Sequence, residues 1–125
     1  MELTVDKCEG IPVVCLAGDM RLSNQEGFCD QVRGTLVFLI TSGWKQLILD
    51  LSAVTQMDSR ALGCLVRWVA TVMTLEADLR LVTGSGLVLE TLSRFKLLEL
   101  CQVFPDEAAA AASFPESDEA SHIDL

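Results

Sequence analysis

The chain is 125 residues long, half of its residues are apolar, and its formal net charge is −9. This length predicts one domain with its own apolar core, and no apolar run approaches the roughly 18 residues of a membrane-spanning helix. Residues 106–125 hold six acidic side chains and no basic one, and the remainder is also slightly acidic. Because a nucleic-acid partner needs a basic patch, we expect no nucleic-acid binding and no direct membrane insertion.

The cysteines and the histidine form no catalytic or metal-binding pattern. The five cysteines, at positions 8, 15, 29, 64 and 101, contain no CxxC pair, which is typical of reduced thiols in a core. The single histidine, His122, lies in the acidic tail, which excludes Ser-His-Asp and Cys-His catalysis in the body. We therefore expect no enzyme activity, no cofactor and no metal. The N-terminus lacks the features of a signal peptide, which predicts a cytoplasmic protein.

The N-terminal third predicts a β-hairpin followed by a helix. Segments 3–5 and 13–17 have the composition of short strands. Ser23 is placed to cap the helix, with Glu26 at the capping-box position three residues later. Apolar side chains then recur at helical spacing at Phe28, Val32, Leu36 and Leu39.

The middle of the chain predicts a buried strand and a second helix. The continuous apolar run Gln46–Leu51 is typical of a strand covered on both faces, so we expect it at the centre of the sheet, with Asp50 at its end. A helix is predicted from Ser59 to about Leu75, with Asp58 as its N-cap. Its polar side chains form one narrow stripe, which predicts that most of the helix is buried; they are Arg60, Arg67, Thr71 and Thr74.

The C-terminal third predicts a strand over 79–82, a helix from Val88 to Phe95, a short element over 100–104 and a helix in the alanine run 108–112. Alternating strands and helices imply an α/β fold with a mixed, mostly parallel sheet of four to five strands and helices packed against it. We expect a domain at residues 1–113 and an acidic, disordered tail at 114–125.

The Asp58-Ser59 pair combines a helix cap with a hydroxyl group. The free N–H groups at a helix start favour an anion, so a phosphate on Ser59 could be accommodated there. Phosphorylation would add about two negative charges beside Asp58 and weaken binding at a contact surface. Taken alone, these residues favour helix capping as the explanation.

The stretch LILDLSAVTQMDSRALGCLV, residues 47–66, resembles the signature of the STAS domain, the fold of bacterial anti-sigma factor antagonists. LAGDM at residues 16–20 is similar to that family's second motif. In the family, the serine after Met-Asp is phosphorylated by an anti-sigma factor that is a serine kinase. The unmodified form binds that kinase and frees the sigma factor, which regulates transcription.

The resemblance implies specific roles for residues of this chain. Ser59 would be the phosphorylation site, with Asp19 and Asp50 supporting the loops, and a serine phosphatase would be a second partner. The implied partner-binding residues are Arg21, Ser23, Met57, Asp58, Ser59, Arg60, Leu62 and Gly63. The chain departs from the family pattern where Arg60 and Ala61 follow the serine in place of a small residue and glycine. Arg21 also stands where an acidic residue is usual.

Three other functions are weighed against this one. A receiver domain would explain Asp50 as a phosphorylated aspartate, but no acidic pair follows the first strand to hold Mg²⁺. An enzyme is disfavoured because the GSG at 84–86 is too short for a dinucleotide fingerprint and Ser59 has no base. A STAS domain that is never phosphorylated, serving as an accessory subunit of a transporter or a signalling scaffold, stays open.

Overall fold

The computed structural model describes residues 1–25, 27–84, 86–94, 96, 99 and 101–115. It contains five strands, which are β1 (Glu2–Cys8), β2 (Ile11–Met20), β3 (Gln46–Met57), β4 (Asp78–Val82) and β5 (Gln102–Phe104). The four α-helices are α1 (Phe28–Thr41), α2 (Ser59–Thr74), α3 (Gly86–Arg94) and α4 (Glu107–Ala112). A 3₁₀ turn, Leu22–Asn24, lies between β2 and α1.

The strands form one sheet in the order β1-β2-β3-β4-β5. Strands β1 and β2 are antiparallel, and the other neighbours are parallel. The α/β fold with a mostly parallel sheet is therefore confirmed, with β3 at its centre. The register that places Met20 opposite Met57 brings the ends of β2 and β3 together, so the loops that follow these strands are neighbours.

The two faces of the sheet bury different cores. Alternate residues of a strand point to opposite faces, so Leu47, Leu49 and Leu51 pack with α1, α2 and α3. Ile48 packs on the other face with the alanines of α4 and with Phe114. The predicted coverage of β3 on both faces is confirmed, and α4 alone among the described helices covers the second face.

The predicted start of the first helix is wrong. Ser23 lies in the 3₁₀ turn, and α1 begins at Phe28 after Gly27, whose φ of 87° is in the left-handed region that glycine tolerates. The capping-box residue Glu26 lies outside the described residues. The fourth buried position of the stripe is Ile40, and Leu39 is only partly buried.

The third helix and the C-terminal segment also differ from prediction in detail. Helix α3 ends at Arg94, and Phe95 lies outside the described residues. Phe114 is buried against the sheet and stacks with Arg80, so the folded body extends one residue beyond the predicted boundary at 113. Residues 116–125 lie outside the described part. None of the described helices is long and apolar enough to cross a membrane.

Candidate functional site

Ser59 is the first residue of α2 and is exposed. The helix starts here because Asp58, in an extended conformation at the N-cap, accepts a hydrogen bond from the Ala61 N–H at 2.9 Å. This bond satisfies one of the free N–H groups of the first turn. The predicted N-cap role of Asp58 is therefore confirmed, and the Ser59 hydroxyl is presented at the positive end of the helix dipole.

The second carboxylate oxygen of Asp58 reaches the loop that follows β2. Its Oδ2 accepts a hydrogen bond from the Ser23 N–H at 3.1 Å. One side chain thus joins the start of α2 to the 3₁₀ turn. Partial burial opposes ionisation of Asp58, but hydrogen bonds from the backbone N–H groups of Ala61, Leu22 and Ser23 outweigh it and lower the pKa of the carboxyl.

Asp19 and Arg21 organise the end of β2. The Arg21 guanidinium forms an ion pair with the Asp19 carboxylate, which also accepts a bond from the Arg21 N–H at 3.1 Å. The hydrogen bond from the Arg21 side chain is the main reason that the pKa of Asp19 is lowered. The Gln25 amide donates to the carbonyls of both residues, at 3.0 Å and 3.2 Å. Asp19 therefore lies where a loop-supporting residue would be needed.

The structure exposes most of the predicted partner-binding residues on one surface. Exposed positions are Arg21, Ser23, Ser59, Arg60 and Gly63, while Met57 and Asp58 are half-buried. Leu62 departs from the prediction, because its side chain is buried in the core under α2 and presents little surface to a partner.

Arg60 is a cation without an ion-pair partner among the described residues, whose ion pairs are Arg21 with Asp19 and Arg94 with Glu90. It follows Ser59 directly and is exposed. An exposed guanidinium on the residue next to Ser59 is available to a phosphate on that serine or to an acidic partner.

Helix α2 exposes an apolar stripe that its sequence did not predict. Gly63, Val66, Ala70 and Met73 follow Ser59 at spacings of three and four residues, which places all five on one face. All are exposed, with Val66 at 42% and Met73 at 64%. The prediction that most of α2 is buried is therefore wrong, because α1 and the sheet cover only the opposite side. We call Ser59, Gly63, Val66, Ala70 and Met73 the α2 face.

Asp50 does not lie where the sequence placed it. Strand β3 continues through Met57, so Asp50 is inside the strand, about 23 Å from its end at roughly 3.3 Å per residue. It is buried on the face covered by α4, and its Oδ1 accepts bonds from the Ser52 N–H and hydroxyl at 2.8 Å and 2.6 Å. It therefore supports the sheet beneath α4 and not the loop before Ser59.

Asp50 belongs to a separate group with Cys15 and Glu107. Their nearest ligand atoms all lie within 4.8 Å of one another, which makes them a possible metal-ligating group. The hydrogen bond with Asp50 raises the pKa of Glu107 to about 7, and burial raises the pKa of the Cys15 thiol to about 11. At neutral pH the thiol is protonated, and a metal ion would have to displace its proton.

Comparisons with known proteins agree with the fold. The model of the STAS domain family matches residues 2–110, and no curated protein sequence matches the chain. The fold is similar to that of an anti-sigma factor antagonist from Mycobacterium paratuberculosis, with 19% identity, a TM-score of 0.72, and coverage of 90% of this chain and 92% of the other.

Two further structures share the fold. The phosphorylated form of the Bacillus cell fate determinant SpoIIAA has 15% identity and a TM-score of 0.63, with coverage of 90% of this chain and 100% of the other. SLC26A9 has 18% identity and a TM-score of 0.66, with coverage of 93% of this chain but only 21% of the other. The same fold thus spans the whole of one of these chains and a small part of the other.

Proposed function

Because the chain belongs to the STAS domain family, we propose that it is a regulatory protein-binding module of the anti-sigma factor antagonist type. It acts in the bacterial cytoplasm and binds an anti-sigma factor that is also a serine kinase. The observation that carries this proposal is the exposed Ser59 hydroxyl at the start of α2, next to an Asp58 that ties two loops into one surface. The fold similarity to an anti-sigma factor antagonist supports it.

The proposed docking surface combines the α2 face with the loop after β2. Apolar side chains of the α2 face, Val66 and Met73, supply area that a partner can bury. Arg60 adds a positive charge beside it that no ion pair among the described residues neutralises, which favours an acidic group on the partner. The charge of Arg21 is balanced by Asp19. In this proposal the module acts by binding its partner, and the kinase activity belongs to the partner.

Phosphorylation of Ser59 switches this binding off. A phosphate adds about two negative charges beside the Asp58 carboxylate, whose lowered pKa keeps it ionised at neutral pH. The helix dipole and Arg60 stabilise the phosphate within the free module. When a partner docks, however, the negative charges of the phosphate would be buried beside Asp58, and this opposes binding. We expect a loss of at least about a hundredfold in affinity, and recovery when a serine phosphatase removes the phosphate.

The test is an affinity pull-down from native cell extract, with mass spectrometry for partner identity and for phosphate on Ser59. Wild type and Ser59→Ala are expected to retain a kinase-type anti-sigma factor, and Ser59→Asp is expected to lose it. Ser93→Asp is the matched control, because Ser93 is also an exposed helix serine but lies on α3. Equal recovery of the partner by Ser59→Asp and Ser93→Asp would remove the switch from the proposal.

A second candidate keeps the fold and omits the phosphorylation. SLC26A9 contains this fold as about a fifth of its chain, and Arg60 and Ala61 depart from the family pattern after the serine. In that case the module is an unphosphorylated accessory subunit of a transporter or signalling scaffold. Recovery of such an assembly by both Ser59 variants, with no phosphate on Ser59, would favour this candidate.

A further inference from the structure

Two cysteines on different helices lie side by side in the packed structure. Cys29 is the second residue of α1, and Cys64 lies in the second turn of α2. The Nε1 of Trp68 donates a hydrogen bond to the Cys29 carbonyl at 3.0 Å. Because Trp68 follows Cys64 by one helical turn, both side chains lie on the same face of α2. The fold therefore places Cys64 next to the first turn of α1, although the two cysteines are distant in the sequence.

The thiol groups of these cysteines contact each other. Both thiols are free, Cys64 belongs to the apolar core, and Cys29 packs against that core. Burial, followed by the hydrogen bond with the Cys29 thiol, raises the pKa of the Cys64 thiol to about 12, although the charges of Arg67 and Arg60 oppose this rise. Thiols in such contact have side chains that point towards each other, as a disulfide requires.

The two thiols differ in their access to solvent. Cys64 is only 6% exposed, whereas Cys29 is half-buried. An oxidant from solvent therefore reaches Cys29 first, and the protonated Cys64 thiol lies behind it. An accessible thiol beside a second thiol that can displace the oxidised group is the arrangement of reversible cysteine oxidation.

We propose that Cys29 and Cys64 are a modification site at which hydrogen peroxide forms a reversible disulfide between α1 and α2. The Cys29 sulfur attacks one oxygen of the peroxide, the O–O bond breaks, and Cys29 becomes a sulfenic acid with release of one water. The Cys64 sulfur then attacks the Cys29 sulfur, the S–O bond breaks, and hydroxide leaves with the Cys64 proton as a second water. The two sulfurs together lose two electrons and the peroxide gains two. A dithiol such as dithiothreitol reverses the change by thiol–disulfide exchange.

The disulfide fixes the start of α1 against the helix that carries Ser59. The segment between the 3₁₀ turn and α1 is already held at one end, because the Ser23 N–H donates to Asp58 at 3.1 Å. The bond between Cys29 and Cys64 holds its other end. The site is independent of the function proposed for Ser59, since the disulfide requires neither a partner nor a phosphate.

The test treats the folded chain with hydrogen peroxide, alkylates the remaining thiols and identifies the products by mass spectrometry. We expect the intact chain to lose two hydrogen atoms. Trypsin should then release a linked pair of peptides, 22–33 and 61–67, each of which contains one of the two cysteines. The melting temperature should rise by about 10 °C, because the bond closes a long loop, and dithiothreitol should return it to its starting value.

Three variants, each checked for folding by circular dichroism, separate the roles of the two thiols. Cys64→Ala should leave Cys29 as a sulfenic acid that dimedone traps, and Cys29→Ala should leave Cys64 unmodified in the core. Cys8→Ala is the matched control, because Cys8 is also half-buried but lies on β1, and it should form the same link as wild type. Absence of the linked peptides from folded wild type, a link to another cysteine in equal yield, or a lower melting temperature after linkage would overturn the proposal.

Discussion

Asp58 joins two loops through one carboxylate, and its replacement tests that geometry. Asp58→Ala removes the bonds from the N–H groups of Ala61 and Ser23. Loss of an N-cap costs about 1 kcal/mol, and loss of a second hydrogen bond at a partly exposed carboxylate costs about 1 kcal/mol more. We therefore expect the free energy of unfolding to fall by about 2 kcal/mol. Asp58→Asn keeps one acceptor oxygen, so it should lose about half as much.

Urea unfolding followed by tryptophan fluorescence measures these changes, because Trp68 is fully buried and reports loss of the core. The difference between wild type and Asp58→Ala should also shrink in acid. A carboxyl whose pKa is lowered by folding stabilises the protein above its unfolded pKa of 3.8, and this contribution is lost as pH falls through the lower folded pKa. Equal losses in the Ala and Asn variants, or a loss below about 0.5 kcal/mol, would refute the two-loop contact.

Three other changes have defined outcomes. Folding raises the pKa of Glu107 from 4.5 to about 7 through its contact with Asp50, so the free energy of unfolding of wild type should fall as pH rises across that interval. Glu107→Gln should reduce this dependence of stability on pH, measured by urea titrations. Trp68→Phe loses the bond from Nε1 to the Cys29 carbonyl at 3.0 Å and should cost about 2 kcal/mol of unfolding free energy; its urea unfolding is followed by far-ultraviolet circular dichroism, because the variant lacks the fluorescent reporter. Val66→Lys should change stability by less than about 0.5 kcal/mol while lowering partner affinity at least tenfold in calorimetry.

Features decided by local chemistry were predictable from the sequence. The apolar run Gln46–Leu51 forms the central strand because no polar side chain interrupts it before Asp50. The start of α2 follows from Asp58, whose short carboxylate reaches the N–H of a residue three positions later. The family resemblance rested on these same residues, so the fold and the position of Ser59 emerged together.

Features decided by distant contacts were not predictable. Ser23 has a good capping sequence, but its N–H donates to Asp58, 35 residues later, and α1 begins only after Gly27. Asp50 has the sequence neighbourhood of a loop residue, yet its partner is Glu107 on α4. The narrow polar stripe of α2 predicted that most of the helix is buried, and only the packed structure shows that Val66 and Met73 are exposed.

The central claim is that an unmodified Ser59 is required for docking a kinase-type anti-sigma factor. The most direct measurement is isothermal titration calorimetry of the purified chain with the anti-sigma factor recovered in the pull-down. Affinity is measured for the unmodified chain and again after that partner has phosphorylated the chain. Phosphate on Ser59 and an affinity at least about a hundredfold lower are the predicted results. Unchanged affinity after stoichiometric phosphorylation, or no phosphate on Ser59 with ATP present, would contradict the claim.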